Sequence, residues 1–438
     1  MAMKRSTICA AVAVALAGGA MPARAWDIDW SLGLGYEHSD NIVRTAFDPI
    51  SGNTITPFFD IAATEEGDTL RANIVGSFGY DYYTTDELDS NFIANAGVNL
   101  LWSIQPERWL WSLDNYTTQE PIDVFATQSP DNVQNTNVFS TGPTLLYRFS
   151  EAMTGRARVR YINTYAEEAD DFNSDRFAFD ARLLRDISEV SALSVNGTAE
   201  TVSLDDPTPT APDFDRYSIF GGYDWRSTRT TLHLDVGWNW VDFDDLDTRD
   251  GPLARFGAEV AVTPISTFDA SIEHQLSDTA SDLASAIPNA DALLLPQAVG
   301  EGGGTATVGS DVYEEDTLTL GYTRLGERFT LRASGYYAEE DYENNQLLNQ
   351  QNHGVLATLD YRISPLMSVG VFANMDWEDF TEADLDSRED EYGLRFSYSI
   401  LRNLDLNLEA SQADRSSNEP TNEFEETRYY AAIIWRRR

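Results

Sequence analysis

From Thr231 to Val241 the chain alternates strictly. Leu232, Leu234, Val236, Trp238 and Trp240 are apolar, while Thr231, His233, Asp235, Gly237 and Asn239 are polar or small. Successive side chains of a β-strand point to opposite faces, so this run is a strand with one greasy and one wet face. Comparable runs start near Trp26, Ile55, Thr69, Asn91, Trp109, Asn137, Thr154, Asp175, Ser191 and Asp215, and again near Thr228, Pro252, Thr267, Asp316, Arg328, Gly354, Met367, Glu391, Leu404 and Arg428. The pattern predicts about twenty strands, or eighteen if the first and sixth pairings do not form.

The connections alternate as regularly as the residues. Short ones fall at 65–68, 105–107, 150–153, 188–190, 226–227, 264–266, 325–327, 364–366 and 402–403. Long, acidic ones fall at 37–54, 84–90, 120–136, 166–174, 203–214, 242–251, 278–315, 343–353, 380–390 and 412–427. One-sided strands joined by alternating short and long connections are what a transmembrane antiparallel up-and-down β-barrel requires, with short turns facing the periplasm and long loops facing outward. A soluble β-sandwich also has many alternating strands. Against it stand runs of ~10–13 residues, long enough for a tilted bilayer crossing. Aromatics also gather at run ends, as an interfacial girdle would: Tyr80, Tyr82, Trp102, Trp109, Trp111, Tyr223, Trp225, Trp238, Trp240, Trp377, Tyr429 and Trp435. Arg436, Arg437 and Arg438, after Trp435, suit lipid head groups.

The first residues fix the compartment. Lys4 and Arg5 precede an apolar run from Ile8 to Ala20, and Ala23-Arg24-Ala25 is an A-x-A cleavage site. Residues 1–25 therefore read as a signal peptide and 26–438 as an outer-membrane barrel of a Gram-negative cell. No other stretch offers the ~18 apolar residues of a spanning helix. The only cysteine, Cys9, and the only lysine, Lys4, lie in the leader. The barrel thus has no disulfide and no thiolate ligand. The net charge of −42 becomes more negative when Lys4, Arg5 and Arg24 leave with the leader, which excludes nucleic acid as a partner.

Two stretches in the first third carry a resemblance. They are Asp40-Asn41-Ile42-Val43-Arg44-Thr45, and Ser129-Pro130-Asp131-Asn132 followed by Asn137-Val138-Phe139-Ser140-Thr141-Gly142-Pro143. With them the chain resembles the outer-membrane β-barrel proteins of exopolysaccharide operons, including those associated with PEP-CTERM/exosortase systems. The resemblance implies a role in exopolysaccharide export, with outer-membrane lipids, the polymer and a periplasmic export protein as partners. It supplies no catalytic residues. Read structurally, Asn41 and Arg44 order the first outer loop, and Gly142 and Pro143 kink a strand or admit a bulge.

Strand parity assigns the inward face. The lumen candidates for solute binding are Arg156, Arg158, Arg160, Arg182, His233, Asp235, Asn239, Glu259, Glu273 and Arg362. Arg156, Arg158 and Arg160 would place three guanidiniums on one wall. Mixed charge across a lumen positions polar solutes without trapping them. Generic polar filling of a water-filled barrel gives the same residue types. The long connection 278–315 carries Leu293-Leu294-Leu295 and Gly302-Gly303-Gly304, and either folds inward as a plug or stands as an exposed tip.

Enzymatic chemistry finds little footing. His38, His233, His274 and His353 lie in no metal-ligand spacing, there is no G-x-S-x-G element, and the acidic run 244–251 lacks the spacing of a calcium loop. No metal, cofactor or catalytic residue is expected. The readings in play are a component for exopolysaccharide export, a general diffusion porin, and, with least support, an outer-membrane enzyme.

Overall fold

The computed structural model describes residues 26–208, 211–244, 246–286 and 308–437. The leader 1–25 and the Leu293-Leu294-Leu295 and Gly302-Gly303-Gly304 motifs lie outside the described residues. Twenty strands follow one another: β1 (Asp27–Ser39), β2 (Gly52–Glu66), β3 (Leu70–Tyr83), β4 (Asn91–Gln105), β5 (Trp109–Pro121), β6 (Val133–Ser150), β7 (Met153–Ala166), β8 (Ser174–Ser188), β9 (Ser191–Leu204) and β10 (Phe214–Arg226). The second half is β11 (Thr230–Phe243), β12 (Arg249–Thr263), β13 (Ser266–Asp278), β14 (Val312–Leu325), β15 (Phe329–Tyr342), β16 (Gln350–Ser364), β17 (Met367–Phe380), β18 (Leu385–Leu401), β19 (Leu404–Ser417) and β20 (Phe424–Arg437). A helix, α1 (Thr279–Ala286), follows β13.

Each strand pairs antiparallel with the next, and β1 pairs with β20 from Trp30↔Arg437 to Ser39↔Arg428. The sheet is therefore a closed barrel without a free edge between first and last strand. All twenty expected strands form, so the eighteen-strand alternative falls.

The outer face is apolar because parity puts it there. On β11, Leu234, Val236 and Trp238 point out, with Val236 57% exposed, while Asp235 between them is 4% exposed. Phe177 and Phe179 on β8, Val195 on β9, Leu318 and Leu320 on β14, Leu394 on β18 and Ile433 on β20 continue the band. A soluble monomer rarely exposes apolar patches beyond a few hundred Å². A band running around the whole barrel is a lipid-facing surface.

At the long-loop end the strands run further than the alternation of apolar residues suggested. β6 begins at Val133 and β18 at Leu385, earlier than the apolar positions indicate, and they reach 18 and 17 residues. Their extensions are polar on both faces, as wall that rises beyond lipid must be.

Candidate functional site: the interior and its long-loop mouth

One wall of the lumen carries a ladder of charges. Arg156 Nη2 lies 3.3 Å from Asp180 Oδ1, and Arg158 Nε donates to the other oxygen of the same carboxylate. Arg182 reaches past β9 to Asp224 at 2.6 Å. His233 joins Asp224 at 2.7 Å to Asp235 at 3.0 Å, and Arg255 stands 3.9 Å from Asp235. Arg255 then donates to Gln275 Oε1, and Gln275 Nε2 donates to Glu315 at 3.1 Å. Parity alone explains the ladder: each residue is inward on its own strand, and the strand register sets neighbours side by side. Because each guanidinium already faces a carboxylate or amide, the wall offers alternating charge to a passing solute.

The structure brings five sequence candidates into this ladder: Arg156, Arg158, Arg182, His233 and Asp235. Arg160 stands apart from Asp180. Its Nη1 donates to the carbonyls of Gly142 and Pro143 at 3.1 and 3.3 Å, at the point where Thr141↔Tyr161 and Thr144↔Arg158 flank a break in the β6–β7 ladder. Asn239 is buried and bonded to backbone. Glu259 faces Asp269 and Thr231 on neighbouring strands, and Glu273 faces Arg255 and Thr317. Arg362 lies exposed near the short turn after β16, away from the others.

The long-loop mouth is bridged from two sides. α1 leaves β13 and crosses to the far wall, where Ala280 and Leu283 pack with Val138 of β6, Ala166 of β7 and Phe172. From the other side, the connection between β5 and β6 reaches toward β17–β20. Its Phe125 ring meets Phe380 edge-on at 5.0 Å, its Phe125 carbonyl accepts from Asn422 at 2.6 Å, and its Gln128 carbonyl accepts from Arg44 at 2.8 Å. A second apolar cluster, with Val202, Phe214, Val241, Leu276 and Val312, fills the mouth beneath β9–β14.

Buried ion pairs fasten these crossings. Asp278, fully buried, takes Arg176 at 2.8 Å and Arg216 at 2.9 Å, and Ser281 of α1 bonds the same carboxylate at 2.7 Å. Across the mouth, Arg44 holds Glu426 at 2.9 Å, Arg415 holds Glu378 at 2.8 Å and Glu389 at 3.4 Å, and Arg428 holds Glu391. Charges so buried need such partners, since an unpaired one costs several kcal/mol. Burial alone lowers the Arg44 pKa, yet Glu426 and Glu389 overcome that and leave it raised above its usual range. In α1, burial pushes the Asp282 carboxyl well up, and the Glu315 charge adds to the effect. Ser277 and Tyr313 both donate to Asp282.

Apart from Arg44, this second set was not among the sequence-predicted residues. Arg176 shares the inward parity of Asp180 and Arg182 and was findable on that ground. Asp278 was read as the start of a loop, and nothing local marks it as a partner for β8 and β10. Asn41 and Arg44 do order the first loop: Asn41 Nδ2 donates to Thr45 O at 2.9 Å and to Glu425 O at 3.0 Å. Arg44 adopts a left-handed φ of 49° to reach Glu426.

Two other features were candidates for binding. His274 Nδ1 lies 2.8 Å from Asp316 and its Nε2 lies 3.9 Å from Glu314, a ligand-like grouping at the outer rim. These groups already pair with one another, and Arg249 lies 3.6 Å from Glu314 and 2.8 Å from Glu343, so a guanidinium already stands beside the grouping. A surface cavity of about 370 Å³ is lined by Phe125, Asp384, Asn418 and Asn422. The amides of both asparagines are spent on backbone carbonyls.

The histidines meet no serine or threonine nucleophile among the described residues. His38 bonds Asn53, His233 bonds two aspartates, His274 bonds Asp316, and His353 stacks on Trp377.

No family model matches the chain, and no curated protein matches it. Among solved structures it is similar to the siderophore receptor PirA from Pseudomonas aeruginosa, at 11% identity over 95% of this chain and 81% of that one, with TM-score 0.45. It is similar to a mutant of the ferric enterobactin receptor PfeA from Pseudomonas aeruginosa, at 10% identity over 95% and 81% of the two chains, with TM-score 0.49. A BenF-like porin from Pseudomonas fluorescens Pf-5 is 11% identical over 94% of this chain and 99% of its own, with TM-score 0.41. At these identities and scores the likeness carries no statement about function.

Proposed function

We propose that this chain is a Gram-negative outer-membrane passage for exopolysaccharide, held shut at its long-loop mouth by its own inward-folded segments. The observation that carries the reading is the pairing of a charged and amide-lined interior wall with a mouth bridged by α1 and the β5–β6 connection. A polymer of hydroxyls and carboxylates finds both donors and acceptors along the ladder from Arg156 to Glu315. The resemblance of the 40–45 and 129–143 stretches to barrels of exopolysaccharide operons supports the choice of cargo. A periplasmic export protein would deliver the polymer to the short-turn end.

The bridged mouth weighs against a general diffusion porin, which needs a standing opening. A deletion strain and its complemented counterpart, scored for surface polysaccharide and for uptake of a small hydrophilic antibiotic, separate the two. Loss of polysaccharide with unchanged antibiotic uptake is the expected result. Normal polysaccharide with reduced uptake overturns it in favour of the porin.

A further inference from the structure

The barrel wall parts along two seams at the long-loop end: the β4–β5 ladder stops at Ala96↔Thr117, and the second seam lies between β12 and β13. β12 begins at Arg249 and β13 runs on to Asp278, yet their ladder stops at Ala254↔His274. Beyond that point Arg249–Leu253 pair only with β11, and Gln275–Asp278 pair only with β14. Pro252 stands on the edge so exposed, where its missing N–H does no harm.

The strands do not merely separate; they overlap. Leu276 and Val312 share the outward parity of Ile272 and Leu318 on the same strands. Ile272 is 50% exposed, but Leu276 and Val312 are 3% and 0% exposed. They pack against Val202, Phe214 and Val241, which face inward from β9, β10 and β11. Arg249, inward on β12, likewise pairs with Glu314 on the outward face of β14. The tops of β13 and β14 therefore lie inside the barrel, behind β11 and β12. Asn239 clasps the seam at Leu276: with its amide turned so that the nitrogen meets Gly251 O at 2.8 Å, its oxygen accepts from Leu276 N at 2.7 Å.

We propose that the tops of β13 and β14, together with α1, form a hinged plug that swings about His274–Gln275 to open the long-loop mouth. The inference rests on the passage reading above and adds the moving part. Below the hinge the β12–β13 ladder runs unbroken to Ala261↔Thr267, and on its other side the plug stays laddered to β15 up to Tyr313↔Tyr342, so it moves by curling about the β14–β15 pairing while the barrel below stays closed. Besides the β14–β15 ladder and the bonds of Asn344 and Asn345 to Asp311, three contacts hold it shut. Asn239 bridges the seam at Gly251 and Leu276. Arg176 and Arg216 grip Asp278 at the base of α1. Ala280 and Leu283 seat against Val138 and Phe172 on the far wall.

The chain from Trp26 onward has no cysteine, so introduced thiols report cleanly. Leu283→Cys in the refolded full barrel should react slowly with a maleimide. Adding Asn239→Ala should speed that reaction about tenfold, the weight of one lost hydrogen-bonded contact. Asp278→Ala should do so at least as strongly, and Asn239→Ala serves should the Asp278 variant fail to refold. In planar bilayers the same latch variants should open ion-conducting events. A short bis-maleimide joining Val138→Cys to Leu283→Cys should abolish those events. Labelling rates that ignore both latch variants, with conductance unchanged by the cross-link, would overturn the hinged plug. Faster labelling without any conductance would keep the hinge and sink the passage reading.

Discussion

Val236 and Asp235 are neighbours in sequence that meet opposite solvents. Val236 sits in the outer band, where a charge near the bilayer midplane costs about 2–4 kcal/mol. Val236→Arg should therefore cut the folded, heat-modifiable fraction on refolding into lipid. Asp235→Asn keeps an oxygen that can accept from His233 and should refold with the parent's yield. Equal losses in the two variants would reverse the face assignment for β11. Asp282 poses a different residue-scale question, because it is a carboxyl held in a buried helix. A carboxyl whose folded pKa is raised contributes its stability below its unfolded pKa and loses it as pH rises through the folded one. Asp282→Asn carries no such burden. Its thermal midpoint should gain on the parent's as pH rises from about 4 to about 8. A difference that stays constant over that range would show that Asp282 does not titrate in the folded barrel.

At the scale of the element, β6 shows what a strand pays for a kink. Gly142 faces β7 so closely that an added Cβ would lie 2.1 Å from the Val159 carbonyl, a backbone atom that cannot step aside. Gly142→Ala should cost about 1–3 kcal/mol, as overpacking does, read as a lower urea midpoint. Gly251→Ala, with nothing near its Cβ, should be neutral. Equal midpoints for the two would mean that β6 relaxes around the methyl group. Strand existence and facing were legible in sequence because a period of two survives wherever lipid lies on one side and water on the other. Strand ends were less legible. In β18, Asp386, Arg388 and Asp390 alternate with Ser387, Glu389 and Glu391, so both faces are polar and no contrast marks the strand. The inward turn of β13 and β14 was not legible at all. Leu276 and Val312 follow the outward parity faithfully, and the residue pattern does not separate them from the lipid-facing Ile272 and Leu318.

For the whole molecule, closure of the barrel was legible from the alternation of short and long connections, but the bridging of its mouth was not. Asn422 bonds Phe125 across 297 residues, and Arg44 bonds Glu426 across 382. Contacts of that separation leave no local pattern to read. The direction of the barrel in its membrane follows from physical cost. The long connections carry carboxylates, a buried guanidinium and a helix, and a structure so polar cannot cross lipid once folded, whereas the two- and three-residue turns can. The long-loop end should therefore face outward and the short-turn end the periplasm. Phe47 is 63% exposed in the first long connection, and Glu107 is exposed in a short turn. In the otherwise cysteine-free barrel, Phe47→Cys should react with a membrane-impermeant maleimide on intact cells. Glu107→Cys should react only after the outer membrane is permeabilised. The opposite pattern would invert the barrel. It would place the bridged mouth in the periplasm, where it would close the entrance to the polymer rather than its exit.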